Sequence, residues 1–422
     1  MTSPRTACTI SVGDELLAGE SLDTHGRTIA AELGDRGCRV VSHRVVGDDV
    51  AAIAAAIREA VGISDLVIVT GGLGPTLDDV TREALAEVLE DPLVEDVEAL
   101  ATLEAWFAGR GRPMPETNRR QIMRPGSARL LPNPHGTAPG IAADCGGVPI
   151  AILPGPPREM VPMLELVIDT HLAESPARPV VVVRAIGIGE SDAATRIADL
   201  MRRDAAIPVA TTVSDSIVSA RIRGRDAGDR DEVERLARMV ESAWAPFAFD
   251  RGEGSLEAAV GTLLLDRRAT IATAESCTGG LLAGALTAVA GSSAWFPGGV
   301  VTYANERKIE DLGVSESDLA RDGAVSRAVA IAMANGARRR ADATIGVSTT
   351  GIAGPDGGSD EKPVGTVWIA VADEQGEDAR CFRFPGTRDI VRRRTVLAAL
   401  QLVRLRLLGE ATPLLWERAS HA

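Results

Sequence analysis

The chain has 422 residues, 45% hydrophobic, 25% charged and only 3% aromatic, with a formal net charge of -14. That length exceeds one ordinary core and predicts two or three domains packed mainly with Val, Leu, Ile and Ala. The acidic balance argues against general affinity for nucleic acid or anionic membrane, and no apolar run suggests a membrane span or signal peptide. Five scattered cysteines, Cys8, Cys38, Cys145, Cys277 and Cys381, show no metal-ligand spacing and fit a reducing cytoplasm.

In chain order, apolar runs predict strands over residues 8–12, 38–46, 65–70 and 149–153. Helical periodicity alternates with them over 23–33, 50–60, 79–89, 95–108 and 116–123. This order implies a doubly wound α/β domain over 1–173, its sheet mostly parallel and its ligands at the carboxyl ends of strands. Two loops fall at such ends, the glycine-rich run 71–76 and the Pro-Gly-Pro-Pro run 154–157. A small α+β domain follows over 178–245, with strands at 180–186, 208–213 and 217–223 and helices at 191–203 and 229–242. It contains no catalytic cluster. Residues 246–254 carry Pro, Gly and charge and read as a linker. The third domain, an α/β unit over 255–410, opens with a helix at 255–266 and a strand near 270–273. Later strands at 343–348 and 365–371 flank another Gly/Pro loop, 351–358.

The chain writes arginine almost everywhere a cation is wanted, with only two lysines, Lys308 and Lys362, and one tyrosine, Tyr303. Arginine keeps its charge at any accessible pH, whereas a desolvated lysine can serve as a base. Lys308 lies five residues after Tyr303, and upstream Ser276 sits between a strand and a helix with Leu281, Leu282, Ala285, Leu286 and Val289 on one face. A hydroxyl nucleophile, a lysine base and an assisting phenol are the parts of a Ser–Lys hydrolase. Gly279 and Gly280 allow close approach, and free N–H groups at the helix start could hold an oxyanion. The plainer alternative has Ser276 and Thr278 capping the helix, Tyr303 buried in a strand and Lys308 solvated. Cys277 is a rival nucleophile, but no histidine lies nearby in sequence to activate it. In the first domain, the N–H groups around Gly71, Gly72, Gly74 and Thr76 can cradle a phosphate, while Asp78 and Asp79 can hold a divalent metal. A tight turn with an aspartate cap is the alternative there.

Five blocks carry a specific resemblance: Ala274 to Gly280, Gly291 to Ser293, Val301 to Lys308, Thr350 to Pro355 and Lys362 to Trp368. Together they resemble the CinA carboxy-terminal domain, a family known for nicotinamide mononucleotide deamidases. The resemblance implies Ser276 as nucleophile, Lys308 as base and Tyr303 as an assisting hydroxyl, with no cofactor. It places Thr278, Gly279, Gly280, Asn305, Thr350, Gly351 and Ala353 around the substrate, with Arg388 as a phosphate partner. Lys362 is expected in a structural ion pair rather than on substrate. The blocks Gly13 to Leu17, Thr70 to Thr76, Pro132 to Gly140 and Leu153 to Pro157 resemble the amino-terminal domain of full-length CinA proteins, related to molybdopterin-binding proteins of the MoaB and MogA type. Some relatives hydrolyse ADP-ribose with a divalent cation (Mg, Mn or Co), so a two-activity, cytoplasmic homodimer acting on free nucleotides is expected. Asp23-Thr24-His25 departs from the family's usual Asp-Thr-Asn, which bears on this domain's ligand. A nucleotide- or pterin-binding module without turnover, or a competence or recombination accessory protein, are the alternatives. The missing basic stripe disfavours DNA contact.

Overall fold

In the computed structural model, residues 5–172, 178–252 and 254–418 are described. The chain forms two compact units, the first running to Pro179 and also taking in Arg225–Arg230, the second holding the rest from Val180 onward.

The first unit contains strands β1 (Thr6–Val12), β2 (Arg39–Val46), β3 (Val67–Thr70), β4 (Leu93–Glu95), β5 (Met123–Pro125), β6 (Arg129–Leu131), β7 (Gly140–Cys145) and β8 (Val148–Leu153). Its helices are α1 (Asp14–Leu17), α2 (His25–Asp35), α3 (Val50–Ile63), α4 (Thr81–Leu89), α5 (Val97–Ala108) and α6 (Pro157–Leu172). One sheet runs β2-β1-β3-β8-β7-β6, parallel through β8 and antiparallel beyond it; β4 and β5 pair separately. Alternation along the strands explains why both faces need helices. Cys8, Ile10 and Val12 pack with Ile53 and Ile57 of α3, whereas Ala7, Ile68 and Leu153 pack with Ile29 of α2 and Leu164 of α6. The apolar strands of the predicted doubly wound sheet are therefore present. Its antiparallel edge is an addition: β6 has only three residues, and β7 opens on a glycine and carries two alanines and an aspartate, too little apolar alternation to read as strands. Residues 116–123, expected as an α-helix, form a 3-10 turn at Glu116–Ile122.

The second unit begins with a four-stranded antiparallel sheet of β9 (Val180–Ile186), β10 (Val209–Ser214), β11 (Ile217–Arg223) and β12 (Ala248–Arg251), ordered β10-β11-β9-β12. It carries α7 (Glu190–Arg196) and α8 (Arg230–Ala243), whose Val233, Leu236, Ala237 and Val240 form a buried stripe at helical spacing. Two expectations change here. The helix expected over 191–203 ends at Arg196 and gives way to a 3-10 turn at Ala198–Leu200. The expected linker contains β12, which pairs with β9 and completes the sheet.

Beyond it lie α9 (Leu256–Asp266), β13 (Ile271–Glu275), α10 (Leu281–Thr287), β14 (Gly298–Val301), α11 (Asn305–Leu312), α12 (Glu316–Asp322), α13 (Arg327–Arg340), β15 (Ile345–Gly351), β16 (Thr366–Asp373), β17 (Gly376–Arg383) and α14 (Arg388–Leu408). The sheet order is β14-β13-β15-β16-β17, with β13 parallel to both neighbours and the last two strands antiparallel. On one face, Ala272 and Ala274 pack with Val329 and Met333 of α13. The other face, including Ile271, Val347 and Ile369, joins a core with α9, α10 and α14 that continues into Val183, Val218 and Leu236 of the preceding sheet.

Candidate active site

Strand β13 ends at Glu275, and Ser276 is the next residue, held by its N–H donating to the Thr349 carbonyl at 2.9 Å. The chain then turns through Gly279 and Gly280, whose φ values of 61° and 94° lie in the left-handed region that glycine adopts without strain. The expected anion site at the start of α10 is already occupied. The buried Glu275 carboxylate accepts from the N–H groups of Gly280 (2.9 Å), Leu282 (3.0 Å) and Ala283 (2.8 Å). Those donors cannot serve an oxyanion as well. Neither Ser276 nor Thr278 caps the helix; the Thr278 hydroxyl instead meets that of Thr349 at 2.7 Å in the core.

Lys308, on α11, is 1% exposed. Its Nζ donates to the carbonyls of Thr302 at 2.8 Å and Tyr303 at 3.2 Å, and lies 3.3 Å from Ser276 Oγ. It makes no ion pair among the described residues. Burial pushes its pKa down from the ordinary lysine value. A neutral amine has two N–H bonds and one lone pair. In the charged form Nζ donates to Ser276 Oγ as well; once a proton is shed, the two carbonyls, which can only accept, take the two remaining N–H bonds and leave the lone pair for the serine hydroxyl. The alternative of a solvated lysine is therefore excluded. Burial pushes the neighbouring Cys277 thiol up to about 12, so the rival nucleophile is held as an unreactive thiol.

Tyr303 is 59% exposed and lies just beyond β14, not buried within a strand. Its hydroxyl accepts from Arg388 at 2.9 Å, and the same guanidinium donates to the Gly354 carbonyl at 2.9 Å. It is the Tyr303 carbonyl, not the phenol, that touches Lys308. Asn305 is exposed at the start of α11. Thr350 and Ala353 are buried, and the Thr350 hydroxyl donates inward to the Ala324 carbonyl at 2.7 Å. Gly351 is required by packing, because a Cβ there would lie 2.6 Å from Val367 Cγ2. Lys362 donates to the Asp322 carbonyl at 2.7 Å, closing the C-terminus of α12 instead of forming the expected ion pair. Arg392 was not singled out from sequence, yet it holds the turn after Ser276 by donating to the carbonyls of Cys277 (3.2 Å) and Thr278 (2.9 Å). Its one legible signal was its place in an arginine-rich helix, which is shared by five other arginines of α14.

The first unit has its own cleft, about 620 Å³, at the carboxyl ends of β1, β3 and β8. Gly71, at φ 100°, lets the loop pass beside β1, since a Cβ there would fall 2.4 Å from the Val12 carbonyl oxygen. Asp79 organises this loop by accepting from the N–H groups of Gly74 and Thr76, both at 2.8 Å, and from the Thr76 hydroxyl. Arg82 and Arg120 hold the carbonyls of Gly74, Thr76 and Asp79. Both oxygens of Asp79 are thus committed to the turn, which fits the alternative of a tight turn closed by an aspartate. Asp78 is exposed on the cleft, and Asp48, at the end of β2, lines it too. Burial pushes the Asp48 carboxyl up; the Asp14 N–H opposes this, and the charges of Asp14, Glu15 and Asp78 push it further. Among the described residues, no three His, Cys, Asp or Glu side chains converge as a metal cage.

Residues 253–407 match the family model for the CinA C-terminal domain, and residues 181–243 that for the damage-inducible protein CinA KH domain. Residues 8–174 match the model described as probable molybdopterin binding domain. A CinA-like protein of Geobacter sulfurreducens is 43% identical over 408 residues, which cover 95% of this chain and 98% of the relative. The chain belongs to the CinA family. A CinA-like protein of Gemmatimonas aurantiaca is 41% identical over 414 residues, covering 95% of this chain and 96% of that one. The crystal structure of the competence/damage inducible protein CihA from Agrobacterium tumefaciens is 44% identical, with a TM-score of 0.35, and covers 36% of this chain and 93% of its own.

In CinA terms, the first unit is the MoaB/MogA-like domain, the sheet of β9–β12 is KH-like, and β13–β17 form the C-terminal α/β domain. The His25 departure from the CinA pattern is confined to a side chain. Asp23 Oδ1 accepts from the main-chain N–H groups of His25 (2.9 Å) and Gly26 (3.1 Å), contacts that any residue at position 25 supplies. What changes is the group offered to the cleft, which His25 lines. Among the described residues, no helix is long and apolar enough to cross a membrane.

Proposed function

We propose that this CinA protein hydrolyses the carboxamide of nicotinamide mononucleotide to nicotinate mononucleotide and ammonia. The observation that carries the reading is the buried Lys308 amine, satisfied by two carbonyls and 3.3 Å from Ser276 Oγ. Catalytic contacts in an unliganded site are commonly longer than in the reacting complex. Ser276 Oγ attacks the carboxamide carbon as its proton passes to Lys308 Nζ. The tetrahedral intermediate then collapses, the C–N bond breaks, and the leaving nitrogen takes that proton as ammonia departs. Water attacks the resulting ester, Lys308 again accepts the proton, and Ser276 recovers it when the acid leaves. Among the described residues the Cys277 and Thr278 N–H groups donate to no carbonyl, and we assign them to the oxyanion. Tyr303 orients substrate together with Arg388, whose remaining N–H groups face a phosphate.

For the first unit we propose cation-dependent hydrolysis of ADP-ribose to AMP and ribose 5-phosphate. Of the expected phosphate cradle, the loop after β3 leaves the N–H groups of Gly72 and Leu73 for a phosphate; those of Gly74 and Thr76 are taken by Asp79 and that of Gly71 by the Leu153 carbonyl. Its acidic surroundings would repel a bare pyrophosphate, so the charges favour a shared cation. Asp48 and Asp78 would hold Mg, Mn or Co, ions that keep several waters and use one or two carboxylates plus substrate oxygens. Such a cation would neutralise charge on the pyrophosphate. On this reading the protein works as a cytoplasmic homodimer on free nucleotides, without nucleic acid.

The test of the deamidase is ammonia release from nicotinamide mononucleotide by the purified protein. Ser276→Ala should reduce it to background while Cys277→Ala keeps most of it. The reverse pattern would transfer the nucleophile to the thiol.

A further inference from the structure

The Pro132 to Gly140 and Leu153 to Pro157 blocks bring together a side chain that the reading above leaves unused. Glu159, in the first turn of α6, lines the cleft of the first unit and is only 7% exposed. We propose that Glu159 is the general base of this cleft, taking the proton from the water that attacks a nucleotide pyrophosphate. The proposal rests on the nucleotide-hydrolase reading of the first unit.

Its surroundings hold the carboxylate in one place and leave one oxygen free. Oε2 accepts from Asn133 Nδ2 at 2.7 Å. Asn133 is itself locked, because the same nitrogen donates to the Ala138 carbonyl at 2.8 Å and its Oδ1 accepts the His135 N–H at 3.0 Å. Gly136 makes room for the group, since a Cβ there would lie 1.9 Å from Oε2. Oε1 accepts no hydrogen bond among the described residues; the nearest cation is Arg158 Nε at 3.7 Å, on a largely exposed side chain.

No other carboxylate on the cleft combines these properties. Asp23 is occupied by His43 and two N–H groups, and Asp79 by its own loop. Glu15 and Asp78 are exposed to water, and Asp48 accepts the Asp14 N–H at 2.9 Å and is assigned to the cation. A buried acceptor with a free oxygen and a fixed rotamer is what a water-orienting base needs. In the step, an O–H bond of water breaks toward Glu159 Oε1 while the oxygen bonds to the adenylyl phosphorus. The bond from that phosphorus to the bridging oxygen breaks, its electron pair leaving on ribose 5-phosphate. Glu159 then releases the proton to solvent.

The experiment uses the full chain with ADP-ribose and Mn, with calorimetry for binding and nicotinamide mononucleotide turnover as a check on folding. Glu159→Gln keeps an oxygen for Asn133 to donate to but cannot accept a proton. We expect kcat for ADP-ribose to fall at least about a hundredfold, with Kd for ADP-ribose within about twofold and deamidation unchanged. Gly136→Ala, which displaces the carboxylate without removing it, should also lower kcat, by about tenfold or more. If the wild type hydrolyses ADP-ribose and Glu159→Gln does so equally fast, Glu159 is structural and the hydrolase reading stands. If the wild type hydrolyses nothing, the reading itself fails and the base fails with it.

Discussion

Lys308 and the cleft of the first unit present opposite electrostatic situations. The lysine is sealed from water, surrounded by carbonyls and paired with no carboxylate. The cleft is open and places Glu15, Asp48 and Asp78 around the glycine loop that Asp79 closes. Burial alone tunes the first, by making the charged amine costly. The second concentrates like charges that only a counter-ion can relieve. The comparison teaches that one site should be indifferent to chelators and the other should depend on its cation.

The sharpest way to break that contrast is Lys308→Arg, which keeps a cation but cannot deprotonate at usable pH. Deamidation of nicotinamide mononucleotide should fall at least about a hundredfold, the lower range of a general base's contribution. Near-normal turnover would mean that charge alone suffices and would remove the Ser–Lys mechanism. The wild-type rate should rise with pH through the lowered lysine pKa, with no response to EDTA. The same shift has a stability sign. Between the lowered pKa and the ordinary 10.5, the unfolded chain holds a proton that the folded one has lost, so stability contributed by this group rises with pH across that window. Urea titrations of the wild type and Lys308→Met across it should converge or diverge accordingly; parallel pH profiles would contradict the burial argument.

A second comparison separates two aspartates. Asp48→Asn should weaken cation dependence of ADP-ribose hydrolysis by about tenfold or more while leaving the melting curve nearly unchanged. Asp79→Ala removes three loop contacts and should cost about 1–2 kcal/mol in urea titration, whatever cation is present. If Asp79→Ala instead changed only cation affinity, the loop-organising role would be wrong. The smallest effect is expected at Lys362→Met, which loses one contact to the end of α12. About 0.5–1.5 kcal/mol of stability and less than a threefold change in deamidation are expected. A large loss of turnover would return Lys362 to the substrate site.

Much of this was readable in the residues, but unevenly. The scarcity of lysine pointed to Lys308 because a rare residue type at a chemically meaningful spacing survives any packing arrangement. The apolar strands of both α/β sheets were legible because burial on both faces demands continuous apolar runs. What sequence could not show was which donors were already taken. Glu275 reads as a residue of a motif, yet its carboxylate consumes the helix start that seemed open for an oxyanion. Asp79 likewise reads as half of an acidic pair, although its oxygens close a turn. Both depend on side-chain direction over distances of a few residues. Arg392 contacts the turn after Ser276 from 115 and 114 residues away, a separation no local pattern encodes. β12 was hidden by its Pro, Gly and charged neighbours, and only pairing with β9 makes it a strand.

The core shared by the KH-like sheet and the C-terminal α/β layer has a consequence for how the molecule comes apart. Val183, Val218 and Leu236 belong to the same apolar cluster as Ile271, Val347 and Leu400, and the Leu415 N–H returns to the Gly187 carbonyl at 2.8 Å. A calorimetric scan should therefore record these two layers as one cooperative transition. In amide exchange they should behave as a single protected block, so that neither layer is lost while the other persists.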